Sequence, residues 1–286
     1  MKAARLLDRP IITPDMDARM GSNINGPTLI RVPDWVQDPL GRYYLYFGHH
    51  RGEYIRLAYA EDITGPWRMH TPGVMPLSDS GFTHHLASPE IRVDEAARQI
   101  RLYYHGGDEL KHQFTSVATS ADGLHFTRRH ERMMNPYARL FDWQDHVYAI
   151  TMPGQFYRSP DGMTDWEKGP LLYTKHMRHA AVRVSGNVLQ VVHSNRGDCP
   201  ESLLYSEIDL RPDWLEWTES TPEVLLRPER DYEGGNLPAE PSVIGPIDVP
   251  ACQLRDPGFH EEDGRLYMIY AVAGEHGLAL AELTDF

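Results

Sequence analysis

Glu90, His179 and Asp256 are the side chains in this sequence best suited to moving protons. Two are carboxylates able to take a proton from water, and the third is an imidazole that titrates near neutrality. Each sits in a short opening of one kind: Ser88-Pro89-Glu90, Arg178-His179-Ala180 and Arg255-Asp256-Pro257. Asn25-Gly26-Pro27 and Asn135-Pro136-Tyr137 complete that set. A second set is equally polar: His49-His50-Arg51, His105-Gly106-Gly107-Asp108, Pro153-Gly154-Gln155, His193-Ser194-Asn195-Arg196 and Gly274-Glu275-His276. Asp, Asn and Pro beside a strand end are ordinary turn residues, but turns alone do not need so many His and Arg side chains. From these sets Glu90, His179 and Asp256 are expected to be catalytic. Asn25, His49, His50, Arg51, His105, His193, Arg196, Arg255 and His276 are expected to contact a ligand.

Elements that bring such distant residues together must repeat. Apolar or aromatic blocks ending in polar residues or glycine recur at Arg42–His50, Gln99–Gly106, His146–Gly154, Val188–Ser194 and Arg265–Gly274. Each has an apolar strand upstream and a further strand and turn downstream, as in Gly65-Pro66-Trp67, Asp122-Gly123 and Asp161-Gly162. With 15 Tyr, 23 Gly and 22 Pro, the composition favours many short strands over long helices. Five such units predict an all-β, five-bladed β-propeller spanning residues 1–286 as a single domain. The last blade lacks a strand, which the segment Leu6 to Thr13 is expected to supply, closing the ring and removing sheet edges. In an antiparallel blade the start of the innermost strand lies beside the end of the second. The two polar sets are therefore predicted to share one mouth of the central channel. The Pro- and Gly-rich stretch from Pro228 to Ala251 is either a rim loop over that mouth or disordered.

The Arg255-Asp256-Pro257 and Ser88-Pro89-Glu90 openings, the Tyr-rich second strands and the Gly65-Pro66-Trp67 turn resemble those of family 43 glycoside hydrolases. The resemblance spans nearly the whole chain. It implies a glycosidase using an Asp base, an orienting Asp and a Glu acid on a small oligosaccharide or glycoside. The departures matter. Asn25 stands where the family's basic Asp would be, and an amide cannot take a proton from water. Asn135-Pro136 replaces a further Asp-Pro, and His179 replaces the acid Glu. The related family 117 anhydro-galactosidases use a histidine as acid, so the resemblance implies His179 as acid with Asp256 or Glu90 as base.

Two other readings stay open. His49, His50, His105, His179 and His193 could converge on a transition metal, giving a lyase or oxygenase, although none has close metal-ligand spacing. Asn25 favours a propeller that binds carbohydrate without cleaving it. Arg51, Arg178, Arg196 and Arg255 near the mouth would suit a uronate or sulfated sugar, unless neighbouring carboxylates already claim them. Tyr46, Tyr104, Tyr137 and Trp35 could stack on a sugar or simply pack between blades.

A formal charge of −13, from 41 acidic and 28 basic residues, argues against nucleic acid or an anionic membrane as partner. No stretch approaches the roughly 18 apolar residues of a membrane span, and Met1 to Pro10 has no apolar signal core, so a cytoplasmic location is expected. Cys199 and Cys252 read as plain thiols. No cofactor is expected beyond a structural calcium or other metal that the channel could carry.

Overall fold

Short apolar strands separated by Gly-, Pro- and Asp-rich turns fold back on one another as antiparallel sheets. Five such sheets form a five-bladed β-propeller in the computed structural model, which describes residues 1–285. Strand β1 (Lys2–Arg5) comes first and belongs to the last blade. Blade one contains β2 (Asn25–Arg31), β3 (Tyr43–Gly48), β4 (Tyr54–Ala60) and β5 (Arg68–Met69), with β6 (Met75–Pro76) also on β4. Blade two is β7 (Leu86–Asp94), β8 (Gln99–Gly107), β9 (Gln113–Ser120) and β10 (Thr127–Met134). Blade three is β11 (Arg139–Trp143), β12 (His146–Thr151), β13 (Gln155–Ser159) and β14 (Glu167–Leu171). Blade four is β15 (Met177–Ser185), β16 (Val188–Asn195), β17 (Leu203–Asp209) and β18 (Glu223–Leu226). Blade five is β19 (Arg255–Glu262), β20 (Arg265–Ala271) and β21 (Leu278–Thr284), completed by β1.

The N-terminus closes the ring as expected, but with a different segment. Lys2 pairs with Thr284 and Arg5 with Ala281, whereas the expected Leu6–Thr13 stretch forms no regular ladder with β21: Leu6, Ile11 and Ile12 make isolated backbone bonds to it, and Ile11 and Ile12 pack in one core with Leu278 and Leu280. Pro10 explains the shift, because proline has no N–H to give to a ladder. Glu233, in the first half of the Pro228–Ala251 segment, locks the closure. Its buried carboxylate receives Arg5 Nε and Nη2 at 2.8 Å each and Tyr270 Oη at 3.0 Å, and accepts from the backbone N–H groups of Glu229 and Arg230.

Both faces of each blade meet a neighbour, so middle strands are apolar almost throughout and β3 is entirely buried. Leu45 and Phe47 pack with Ile269 and Leu280 on one side of blade one, while Tyr44, Tyr46 and Leu57 pack with Ile91, Leu102 and Tyr104 on the other. Tyrosine hydroxyls then tie blades to each other's turns: Tyr46 Oη donates to Gly123 O at 2.9 Å and Tyr104 Oη to Ser80 O at 2.8 Å. Tyr46 and Tyr104 are thus packing residues, not a stacking surface. Trp67, Phe126 and Trp166 immediately precede their outermost strands, but in blade four β18 starts only at Glu223, well after the buried Trp214 and Trp217.

Inner strands crowd the axis. A methyl group on Gly258 would lie 2.3 Å from Pro27 O, a distance only glycine avoids. Arg139 fills what space remains, donating to Ala180 O at 3.0 Å, Pro89 O at 2.8 Å and Pro27 O at 3.1 Å. One guanidinium therefore joins the innermost strands of four blades.

Candidate active site

The first strand pair carries a one-residue register shift in blades one, two, four and five, falling between Asn25 and Thr28, Ala87 and Glu90, Met177 and Ala180, and Arg255 and Gly258. A bulge of this kind re-aims side chains at a sheet's end. The backbone is left-handed at Gly26 (φ 58°), Ser88 (φ 47°), Tyr137 (φ 65°) and Asp256 (φ 49°), all in or beside inner-strand openings. For a residue with a Cβ that conformation costs roughly 1–3 kcal/mol, and such strain concentrates at functional sites.

The openings of blades three, four and five, through Tyr137, Arg178, His179 and Asp256, border a cavity of about 400 Å³. That is near the lower end of the range for small-molecule sites, roughly 300–1,000 Å³. Of the residues singled out from sequence, His50, Arg51, Tyr137, Arg178, His179, Arg196 and Asp256 line it, joined by His85 and Lys175. Gly154's neighbour Pro153 and the rim residues Ile244, Gly245 and Pro246 complete the wall, so the second half of the Pro228–Ala251 stretch does overhang the mouth.

Two histidines on this wall are each backed by a buried carboxylate. His179 Nδ1 contacts Asp256 Oδ1, and both residues are buried. His50 Nδ1 lies 3.0 Å from Glu275 Oε2. In both pairs the carboxylate occupies Nδ1 and leaves Nε2 as the free ring nitrogen. Burial pushes His179 below its ordinary value, and Asp256 only partly offsets this. Burial alone would raise Asp256, but the charge and hydrogen bond of His179 outweigh it and hold the carboxyl well below the usual range. Tyr137 fixes the His179 ring by lying between it and His105, with centroids 4.0 and 4.1 Å apart respectively.

Beneath the wall runs a buried chain of alternating charge. Glu201 meets Arg178 Nε at 3.0 Å and Arg255 Nε at 3.3 Å, and Arg255 Nη1 donates to Glu275 Oε1 at 3.1 Å. Ser194 Oγ donates to Glu201 at 2.6 Å, and Asn23 donates to Glu275 Oε2. Alternation compensates each buried charge, and the network fixes the residues attached to it. Burial raises Glu201 in spite of its two arginines. Burial would raise Glu275 too, but its hydrogen bond from His50 brings it down.

The remaining expected residues stand behind the wall. Glu90 is held by Arg139, whose Nη1 donates to its Oε2 at 3.0 Å, and does not line this cavity. Asn25 supports the wall, with its amide donating to Asn23 Oδ1 at 3.1 Å and lying 3.0 Å from His50 Nδ1. His49 Nδ1 accepts from the Arg51 backbone at 2.8 Å, and burial lowers its pKa to about 4. His105 lies buried beneath Tyr137, and His193 packs edge-on against Tyr173 at 4.8 Å. Burial lowers both, His193 to about 4. Arg255 is wholly enclosed in the charge chain, and His276 bridges Ile24 through its backbone. Trp35 is tied to Glu95 at 2.8 Å and is not on the wall. The five histidines expected to converge on a metal are divided between wall and interior. Among the described residues no three His, Cys, Asp or Glu side chains come together as a metal site.

Sequence reading missed Glu201 and Lys175. Glu201 lies in the turn Cys199-Pro200-Glu201, where no motif marks it; Lys175 stands three residues before Arg178, outside the five-part pattern.

No family model matches the chain. It is 34% identical over 297 residues to the uncharacterized protein R118 of Acanthamoeba polyphaga mimivirus, covering 91% of this chain and 83% of that one. The fold matches that of solved glycoside hydrolases. A thermostable family 43 enzyme superposes with a TM-score of 0.65 at 14% identity, covering 92% of this chain and 90% of its own. A family 43 β-xylosidase/α-arabinofuranosidase from a compost microbial metagenome, solved with xylotriose, gives 0.64 at 13% identity and covers 99% and 96%. A glycosyl hydrolase from Bacteroides ovatus gives 0.67 at 10% identity and covers 92% and 84%.

Proposed function

The chain belongs to one family with the mimivirus protein R118, and from that premise and the cavity's chemistry we propose that it is a glycosidase acting on a small glycoside. The carrying observation is the pair of carboxylate-backed histidines, His179–Asp256 and His50–Glu275, on the wall of one small cavity. Hydrolysis needs one group to deprotonate water and another to protonate the leaving oxygen. His179, kept neutral by burial, is the base: its Nε2 takes a proton from water as the water oxygen bonds to the anomeric carbon. The bond from that carbon to the leaving oxygen breaks, and His50 supplies that oxygen's proton from Nε2. Solvent returns the proton from His179 to His50, so water and glycoside become two hydroxyl products. This reverses the acid role that the family resemblance implied for His179 and leaves Glu90 outside the chemistry.

A panel of 4-nitrophenyl glycosides tests the reading. His179→Ala and Asp256→Asn should each lose roughly 10²-fold or more in kcat with little change in Tm. Wild-type activity surviving both substitutions would remove the proposal.

A further inference from the structure

We propose that the sugar taken by this cavity is anionic, held by the paired cations Lys175 and Arg196 on the blade-four side; the inference rests on the glycosidase reading and adds the substrate class. The protein carries 41 acidic and 28 basic residues, so carboxylate partners for its cations are abundant. Around the cavity most cations have one. Arg178 is matched by Glu201, Arg255 by Glu201 and Glu275, and Arg51 by Asp248 at 3.2 Å. Lys175 and Arg196 are the exceptions, having no carboxylate partner among the described residues although both line the wall.

Backbone contacts also bring the two residues together. Arg196 Nη2 donates to Lys175 O at 2.8 Å, and the Arg196 backbone N–H donates to His176 O at 2.9 Å. A guanidinium and an ammonium on neighbouring segments of one wall, neither claimed by a carboxylate, suit a planar carboxylate or a sulfate or phosphate ester. Among the described residues the one carboxylate on the wall, Asp256, is committed to His179 and does not neutralise them.

Calorimetric titration of the whole protein with glucuronate, galacturonate, and 6-sulfated and 6-phosphorylated hexoses, beside glucose, galactose and xylose, tests this. The charged sugars should bind at least about ten-fold tighter than the neutral ones, and added salt should narrow the gap. Lys175→Met combined with Arg196→Gln should bring the affinities for charged and neutral sugars together, with the folded state confirmed by an unchanged circular dichroism spectrum. The ranking of uronates against esters then names the acid group, and either order supports the inference. Equal affinity for neutral and charged sugars in the wild type would overturn it while the glycosidase reading stands. Binding of inorganic phosphate with no sugar binding at all would overturn both.

Discussion

His179 and Asp256 show how burial and pairing divide a proton-transfer site. A histidine that is neutral because it is buried can only act as a base above its own pKa. The kcat/KM profile should therefore rise on an acid limb below pH 6.5, the ordinary histidine value, and lie flat through neutrality. In a variant retaining measurable activity, Asp256→Asn should move that limb to lower pH, because the carboxylate is what raises His179. A limb that stays in place or moves upward would show that another group controls the rate. Glu90 belongs to a different problem. Its partner Arg139 is buried, so Glu90→Ala should leave an unpaired guanidinium and cost about 3–5 kcal/mol, seen as a lower denaturation midpoint. An unchanged midpoint with lost turnover would return Glu90 to the chemistry. From sequence, Glu90 and Asp256 look equivalent, each flanked by Pro. What separates them is that Asp256 lies within the bulge, at the position of Ser88, and Glu90 two positions further on, just beyond it, a difference in register that composition does not carry.

At the scale of elements, most of the fold was legible because strand alternation and turn residues repeat from blade to blade, with aromatic starts to the outer strands of the first three. All five inner strands and all five second strands lie where the repeats placed them. The closing strand was less legible. Lys2–Arg5 has little apolar content to mark it, and its place depends on Glu233, some 228 residues away in sequence. Glu233→Ala should strand Arg5 and Tyr270 and lower Tm by roughly 6 °C or more. Glu233→Gln, which keeps an acceptor for Arg5, should cost less. If thermal scans showed neither variant below wild type, the lock would not be holding the ring. The charge chain under the cavity was not legible either, since its members come from loops and strand ends that only closure of the ring brings together.

For the whole molecule, the buried histidines make stability depend on pH. His179, His105 and His193 bind fewer protons folded than unfolded, and burial holds His193 at about 4. Their contribution is present above the unfolded value near 6.5 and is lost as pH falls toward 4, before most carboxylates titrate. Glu90 and Glu201, raised by burial, offset part of this loss. Tm should begin to fall near pH 6.5 in a series of buffered melts; a constant Tm down to pH 5 would contradict the neutral assignment. The Arg139 clasp has a consequence of another kind. By bridging carbonyl groups from three facing strands, it staples four blades together at their inner edges. On the glycosidase reading, the hollow of about 400 Å³ beside that staple has room for only the tip of a long chain.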